Sequence, residues 1–174
     1  MQRITIAGNS GSGKSTLSEE LGVITRLPVY HLDLIQFKPG WKKTPEPEFD
    51  QKHENWLMQE QWLIEGVGPW KALKKRFAVA DTIMYLDFTV EYCLQKAAER
   101  LEKDKKEPNP FVPPNSPYAA KADKQEEVIR FFHKEWRPKI LALQEFLKTG
   151  RNTFVFTSPE AMEAFKLELK AGLV

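Results

Sequence analysis

Short apolar, β-branched runs alternate with longer segments of helical period along this chain. Ile4 and Ile6 mark a strand over residues 3–7 that ends at Gly8, where a glycine-rich turn runs to Gly13. Leu17 and Leu21, four apart on one face, predict a helix from about Lys14, with Gly22 near its end. Residues 28–33 read as a second strand closing on Asp33, residues 62–66 as a third closing on Glu65 and Gly66, and residues 153–156 as a fifth. The fourth, residues 81–87, is a continuous apolar run of the kind carried by a strand buried on both faces. Helices are predicted over 48–60, 70–79, 90–105 and 160–170. A further long helix carries Ile129, Phe132, Trp136, Ile140, Leu143 and Leu147 at spacings of three and four, and Pro138 within it predicts a kink.

Two segments break the pattern. Residues 36–47 hold three prolines, Gly40 and Trp41 and read as an irregular loop. Residues 107–117 hold five prolines and no periodicity, which predicts a flexible loop. Strands alternating with helices imply a parallel sheet with helices on both faces, and ligands in such sheets bind at the carboxyl ends of the strands. That rule groups Gly8, Asp33, Glu65 and Asp87, each at a predicted strand end. Asp33 gains weight because its strand is expected to lie next to the first. Asp81 reads as a strand-start cap.

The length, 174 residues, suits a single domain. With 41% hydrophobic and 29% charged residues the chain is globular in composition, and a net charge of +2 is too small to argue for nucleic acid or an anionic membrane. The lone cysteine, Cys93, rules out an internal disulfide and a cysteine zinc site, and reads as buried apolar filler. No apolar run approaches the ~20 residues of a membrane span. The first residues pass directly into a strand pattern without a signal peptide, so the expected compartment is the cytoplasm.

The chemistry concentrates in Gly8-Asn9-Ser10-Gly11-Ser12-Gly13-Lys14-Ser15-Thr16, a complete match to the Walker A pattern G-x-x-x-x-G-K-[ST], placed between a strand and a helix as that motif requires. Glycines let successive N–H groups turn inward around an anion, and the following helix adds its positive end. Lys14 is positioned to reach β- and γ-phosphates and the Ser15 hydroxyl to ligate Mg²⁺. The expected cofactors are therefore ATP and Mg²⁺. The fold class that follows is a three-layer α/β/α P-loop NTPase fold with a parallel sheet of about five strands. It would form one domain over residues 1–174, with a small lid at about 104–125. The guanine-reading N-K-x-D motif of GTPases is absent; its nearest match, Lys121-Ala122-Asp123, lacks the asparagine.

This layout resembles small-molecule and nucleoside monophosphate kinases. Further segments sharpen the resemblance: Val29-Tyr30-His31-Leu32-Asp33, Lys38-Pro39-Gly40-Trp41, Ile64-Glu65-Gly66, Ala80-Asp81-Thr82-Ile83, Leu86-Asp87-Phe88 and Arg137-Pro138-Lys139-Ile140, in this order. Together they are similar to adenylate-kinase-related P-loop proteins often labelled DNA topology modulation protein. Two features depart from that family. It usually shows D-G-N-Y where this chain has Glu65-Gly66-Val67-Gly68, and its lid is richer in arginine. The resemblance implies ATP·Mg-dependent phosphoryl transfer to a small acceptor, a nucleotide or nucleoside first among the candidates. A rival reading is a nucleotide-binding regulatory module acting on DNA topology or a protein partner. Against DNA, the basic residues form stripes and no helix-turn-helix pattern stands out. A monomer or a homodimer is expected, with no membrane association.

Several side chains are candidates for the site, each against a plainer role. Asp33 would take the acceptor's proton, bind its hydroxyl or hold a Mg²⁺ water; alternatively it caps a helix. Glu65 and Asp87 would orient water or acceptor; alternatively they belong to turns. Arg100, Arg130 and Arg137 would stabilise charge on the transferring phosphoryl group; alternatively Arg130, Lys134 and Arg137, on one helical face, form a solvated stripe. Trp41 and Phe37 would stack on an acceptor ring or anchor the loop. Lys71, Lys74, Lys75 and Arg76 read as a solvated helix face, from which Arg76 would reach an acceptor phosphate. His31, His53 and His133 have no mutual metal spacing and read as structural.

Overall fold

The structure, a computed structural model, describes residues 1–172. Strands β1 (Arg3–Gly8), β2 (Val29–His31), β5 (Trp62–Glu65), β6 (Thr82–Leu86) and β7 (Asn152–Phe156) form one parallel sheet in the order β2-β5-β1-β6-β7. The two-residue alternation of each strand divides its apolar side chains between the faces. Ile4, Ile6, Leu63, Met84 and Leu86 meet Leu17 and Leu21 of α1 (Lys14–Thr25), Cys93 and Ala97 of α5 (Val90–Asp104) and Phe165 of α8 (Pro159–Lys170). Ala7, Ile64, Ile83 and Tyr85 meet the other layer. It is made by Phe49 of α3 (Glu46–Leu57), Leu73 and Phe77 of α4 (Trp70–Val79) and Ile140 of α7 (Arg137–Leu147). This is the α/β/α arrangement expected from the alternation of elements.

The strand order corrects one expectation. The β1–α1–β2 crossover skips a position, and β5 fills it, pairing with β1 on one side and β2 on the other. Glu65, not Asp33, therefore ends the strand beside the phosphate loop. The second strand is also shorter than predicted, and Asp33 opens a one-turn helix, α2 (Asp33–Gln36).

The segment read as irregular holds a small hairpin, β3 (Phe37–Lys38) and β4 (Lys42–Lys43), joined by a 3₁₀ turn over Pro39–Trp41. Residues 105–117 carry no regular element, and a 3₁₀ stretch, Tyr118–Lys124, leads into α6 (Gln125–Phe131). The kink expected at Pro138 falls one turn earlier, where Phe132–Trp136 forms a π turn ahead of α7. Proline has no N–H to give and crowds the carbonyl four residues before it, so that turn widens, while Pro138 itself sits in the tolerant first turn of α7.

Candidate active site

The carboxyl end of β1 turns at Gly8, beside Leu86 of β6, and enters the loop 9–13. Asn9 organises the loop. Its carbonyl accepts from Ser12 N (3.2 Å) and from Lys14 Nζ (2.8 Å), and its side-chain oxygen accepts from Ser10 N (2.8 Å). Gly11 is required on two counts: its φ is +80°, and a Cβ there would stand 2.2 Å from the Cys93 carbonyl oxygen. Gly13, at φ +89°, starts α1 with no side-chain cap on the helix's first N–H groups. Ser12 Oγ is buried without a hydrogen-bond partner. Burial holds the Lys14 ammonium below the usual lysine range, partly offset by the charges of Glu65 and Asp33. The uncapped first turn of α1, an orphaned hydroxyl and a desolvated ammonium together fit a polyphosphate.

The loop and the start of α1 form one wall of a cavity of about 670 Å³. Thr16 lines it from α1, Tyr92, Lys96 and Arg100 from α5, Pro108 to Phe111 from the irregular segment 105–117, and Met162 from α8. It is roomy enough for a nucleotide. Arg100 bridges the loop and Tyr118. Its Nη2 donates to Ser10 Oγ (3.1 Å), and its guanidinium lies 3.8 Å from the centre of the Tyr118 ring. Gln125 Nε2 also donates to Ser10 Oγ (2.9 Å), and Asn9 Nδ2 to the Ile129 carbonyl (2.9 Å). The phosphate loop is thus tied directly to α6.

On the other side of Lys14 lies an acidic group. Glu65 is buried, and its Oε1 accepts from the Ser15 hydroxyl (3.2 Å) and faces His31 Nδ1 (2.9 Å). His31 Nε2 faces Glu19 Oε1 (2.8 Å), and its ring stacks on Phe111 of the 105–117 segment with centroids 4.3 Å apart. Burial opposes charge on His31, but hydrogen bonds and attraction to the two carboxylates outweigh it, so its pKa stands above the ordinary histidine value. Burial, then repulsion from Glu65, raises the Asp33 carboxyl, while Lys14, Lys121 and Arg100 draw it back. Ser15, with Glu65 and Asp33 behind it, is the donor set a Mg²⁺ ion and its waters would meet. Among the described residues no cluster of three or more His, Cys, Asp or Glu side chains is built to hold a metal by itself.

The remaining candidates are distributed less tightly. Asp87 follows β6 and is clasped by Arg137, Nε to Oδ1 at 2.6 Å and Nη2 to Oδ2 at 2.7 Å. Arg130 is exposed and pairs with Glu126 on its own helix (2.8 Å). Arg76 does not belong to a solvated face: it is fully buried, and donates to the carbonyls of Gly66 (2.6 Å) and Val67 (3.1 Å), fixing the loop after β5. Trp41 anchors the hairpin to the 105–117 segment through its indole N–H, which donates to the Pro117 carbonyl (2.9 Å). Asp81 accepts from the N–H groups of Gln2 and Arg3, as a cap does.

Sequence reasoning missed four contributors. His31 had a signal, two residues before Asp33, but was weighed only for metal spacing. Lys121 was weighed only against a guanine motif, and Tyr118 and Gln125 carried no signal.

A Walker A loop at the carboxyl edge of a five-stranded parallel sheet, between two helical layers, is the three-layer α/β/α P-loop fold. Solved structures superpose accordingly. Shikimate kinase from Acinetobacter baumannii, in complex with shikimate, aligns with TM-score 0.61 at 17% identity, over 99% of this chain and 94% of that one. A gluconokinase from Sinorhizobium meliloti 1021 aligns with TM-score 0.52 at 16% identity, over 99% and 91%. Shikimate kinase from Bacteroides thetaiotaomicron gives 0.51 at 14%, over 99% and 98%. No protein-family model and no curated protein sequence matches the chain.

Proposed function

We propose that this protein is a small-molecule kinase that transfers a phosphoryl group from ATP·Mg²⁺ to a hydroxyl of a small acceptor, with a nucleotide or nucleoside first among the acceptors to be tried. The observation that carries this reading is the phosphate loop itself. Its orphaned Ser12 hydroxyl and buried Lys14 line a nucleotide-sized cavity, and the carboxylates of Glu65 and Asp33 act on Lys14 from outside that lining. The kinase fold of the superposed structures supports it.

Bound there, ATP would supply the transferable phosphoryl group and Mg²⁺ would neutralise its oxygens. The chain's own residues do the positioning. Loop N–H groups and Lys14 orient the phosphates, the Ser15 hydroxyl serves the metal, and Glu65 and His31 fix that hydroxyl. Asp33 takes the acceptor's hydroxyl proton, and its raised pKa makes it a better base than an ordinary aspartate. Arg100, already at Ser10, spreads positive charge across the transferring group. The lid over residues 104–125 closes over the pair and excludes water.

The test is ADP formation by purified protein with ATP·Mg²⁺ and a panel of nucleosides, nucleoside monophosphates, sugars and sugar acids. An acceptor-dependent increase over the ATPase background is expected. ADP formation that no acceptor raises would defeat the reading.

A further inference from the structure

Besides Lys14 and Arg100, a further cation stands near this site, outside the lining of the nucleotide cavity. Lys121 belongs to the 3₁₀ stretch Tyr118–Lys124, and its ammonium lies 3.4 Å from the centre of the Trp41 ring and 4.1 Å from that of Phe37. The two rings meet edge to face, 5.3 Å apart at 83°, so the ammonium occupies the corner between them. The corner is built, not incidental. The Ser116 hydroxyl accepts from the N–H groups of Gly40 (3.0 Å) and Trp41 (3.2 Å), which locks the hairpin to the lid at this point.

Asp33 and Arg100 are the charges that act on Lys121, and Asp33 is the base assigned to the acceptor. None of Asp33, Trp41 and Lys121 lines the 670 Å³ cavity beside the phosphate loop, so the corner and the base both lie outside it. Arg130 and Arg137, the lid-side arginines, are engaged with Glu126 and Asp87. Among the described residues Lys121 forms no ion pair within 4.0 Å; its close partners are the two rings.

We propose that Lys121 binds the acceptor, and that the acceptor it admits carries an anionic group, carboxylate or phosphate, besides the hydroxyl offered to Asp33. This rests on the kinase reading above and narrows its acceptor. A half-buried ammonium held by ring faces, which Asp33 attracts without a direct ion pair, lacks a paired counter-charge. An anion supplies one, through a charge-assisted hydrogen bond roughly twice as strong as a neutral one. A neutral polyol offers only the neutral bond, in exchange for the cation–π contact it disrupts. The anion therefore draws Lys121 off the rings, whereas an uncharged analogue leaves it there.

The experiment compares related acceptors with and without an anionic group, gluconate against glucose and adenosine monophosphate against adenosine. Wild-type protein is compared with Lys121→Met, which keeps the stem on the rings, and Lys121→Arg. Each compound is also titrated calorimetrically into the protein in the absence of ATP. At least one anion should bind about tenfold more tightly than its neutral partner, and Lys121→Met should remove that preference while Lys121→Arg restores part of it. In turnover, Lys121→Met should raise KM for that anion about tenfold and leave KM for ATP within about twofold. The pair that responds tells carboxylate from phosphate. Binding that depends on Lys121 without ADP formation would uphold the inference and defeat the kinase reading. Neutral compounds binding as well as the acids, or anion binding indifferent to Lys121→Met, would overturn the inference even if ADP formed.

Discussion

Lys14 shows how one buried charge is kept in place before any ligand arrives. Its ammonium donates to the Asn9 carbonyl and feels both Asp33 and Glu65. Lys14→Ala should leave the fold intact and abolish stabilisation by ATP·Mg²⁺, which for ligand at about 100 times Kd amounts to about 2.7 kcal/mol. Thermal melting with and without nucleotide checks it; an undiminished shift in the variant would reject the phosphate-loop assignment. Asp33→Asn removes a base without removing bulk, so turnover on the true acceptor should fall ~10²-fold while ATP affinity holds. Unchanged turnover would strike Asp33 from the catalytic residues. For Arg137 the bidentate clasp on buried Asp87 favours an anchoring role over a transition-state one. Arg137→Lys keeps the charge and loses the fork, and should cost ~1 kcal/mol in urea unfolding, with kcat changed less than ~10-fold. A stable variant slowed ~10²-fold would restore it to catalysis. The phosphate loop was legible because its backbone demands several glycines and a lysine at fixed spacing. His31 and Lys121 were not, because each is one residue whose meaning lies in neighbours from distant segments.

At the level of elements, the phosphate loop and α5 are one unit. Gly11 passes so close to the Cys93 carbonyl that the first turn of α5 has its position set by the loop. Gly11→Ala meets both a left-handed φ and a backbone atom that cannot swing away. It should therefore cost ~2–4 kcal/mol and weaken nucleotide binding with it. Denaturant midpoints with and without ATP·Mg²⁺ measure both; a loss under ~0.5 kcal/mol would show that loop and helix separate freely. Periodicity located the long elements within a few residues because their apolar faces are continuous. It missed the Phe37–Lys43 hairpin, where Pro39, Gly40 and Trp41 break any period, yet this hairpin holds the 105–117 segment through Ser116 and Pro117. It also made α4 look solvated. Four basic residues crowd that helix, and only the fold reveals that Arg76 turns inward to the carbonyls of Gly66 and Val67.

For the molecule as a whole, alternation of strand and helix was enough to expect the parallel sheet, but not its order, because strand order depends on which crossover skips a position. The same topology buries a charge problem that governs acid stability. On the face formed by α3 and α4, His53 is 1% exposed, stacks on Phe49 with ring centroids 5.7 Å apart, and has an Nε2 without a partner. Burial first, then the nearby charges of Arg76 and Lys75, push its pKa from 6.5 down to about 3. The folded protein therefore keeps His53 neutral at a pH where the unfolded chain would protonate it. Between the two pKa values the unfolded state binds the extra proton. Stability must then fall as pH drops from 6.5 toward 3, by about 1.4 kcal/mol for each pH unit. His53→Leu has no proton to take up and keeps the packing apolar. From pH 6.5 to 5, before most carboxylates titrate, wild type should lose about 2 kcal/mol more than His53→Leu in urea-unfolding stability. Parallel pH dependence in the two proteins would mean that His53 is hydrated or paired in solution, and that the acid limb belongs to other groups.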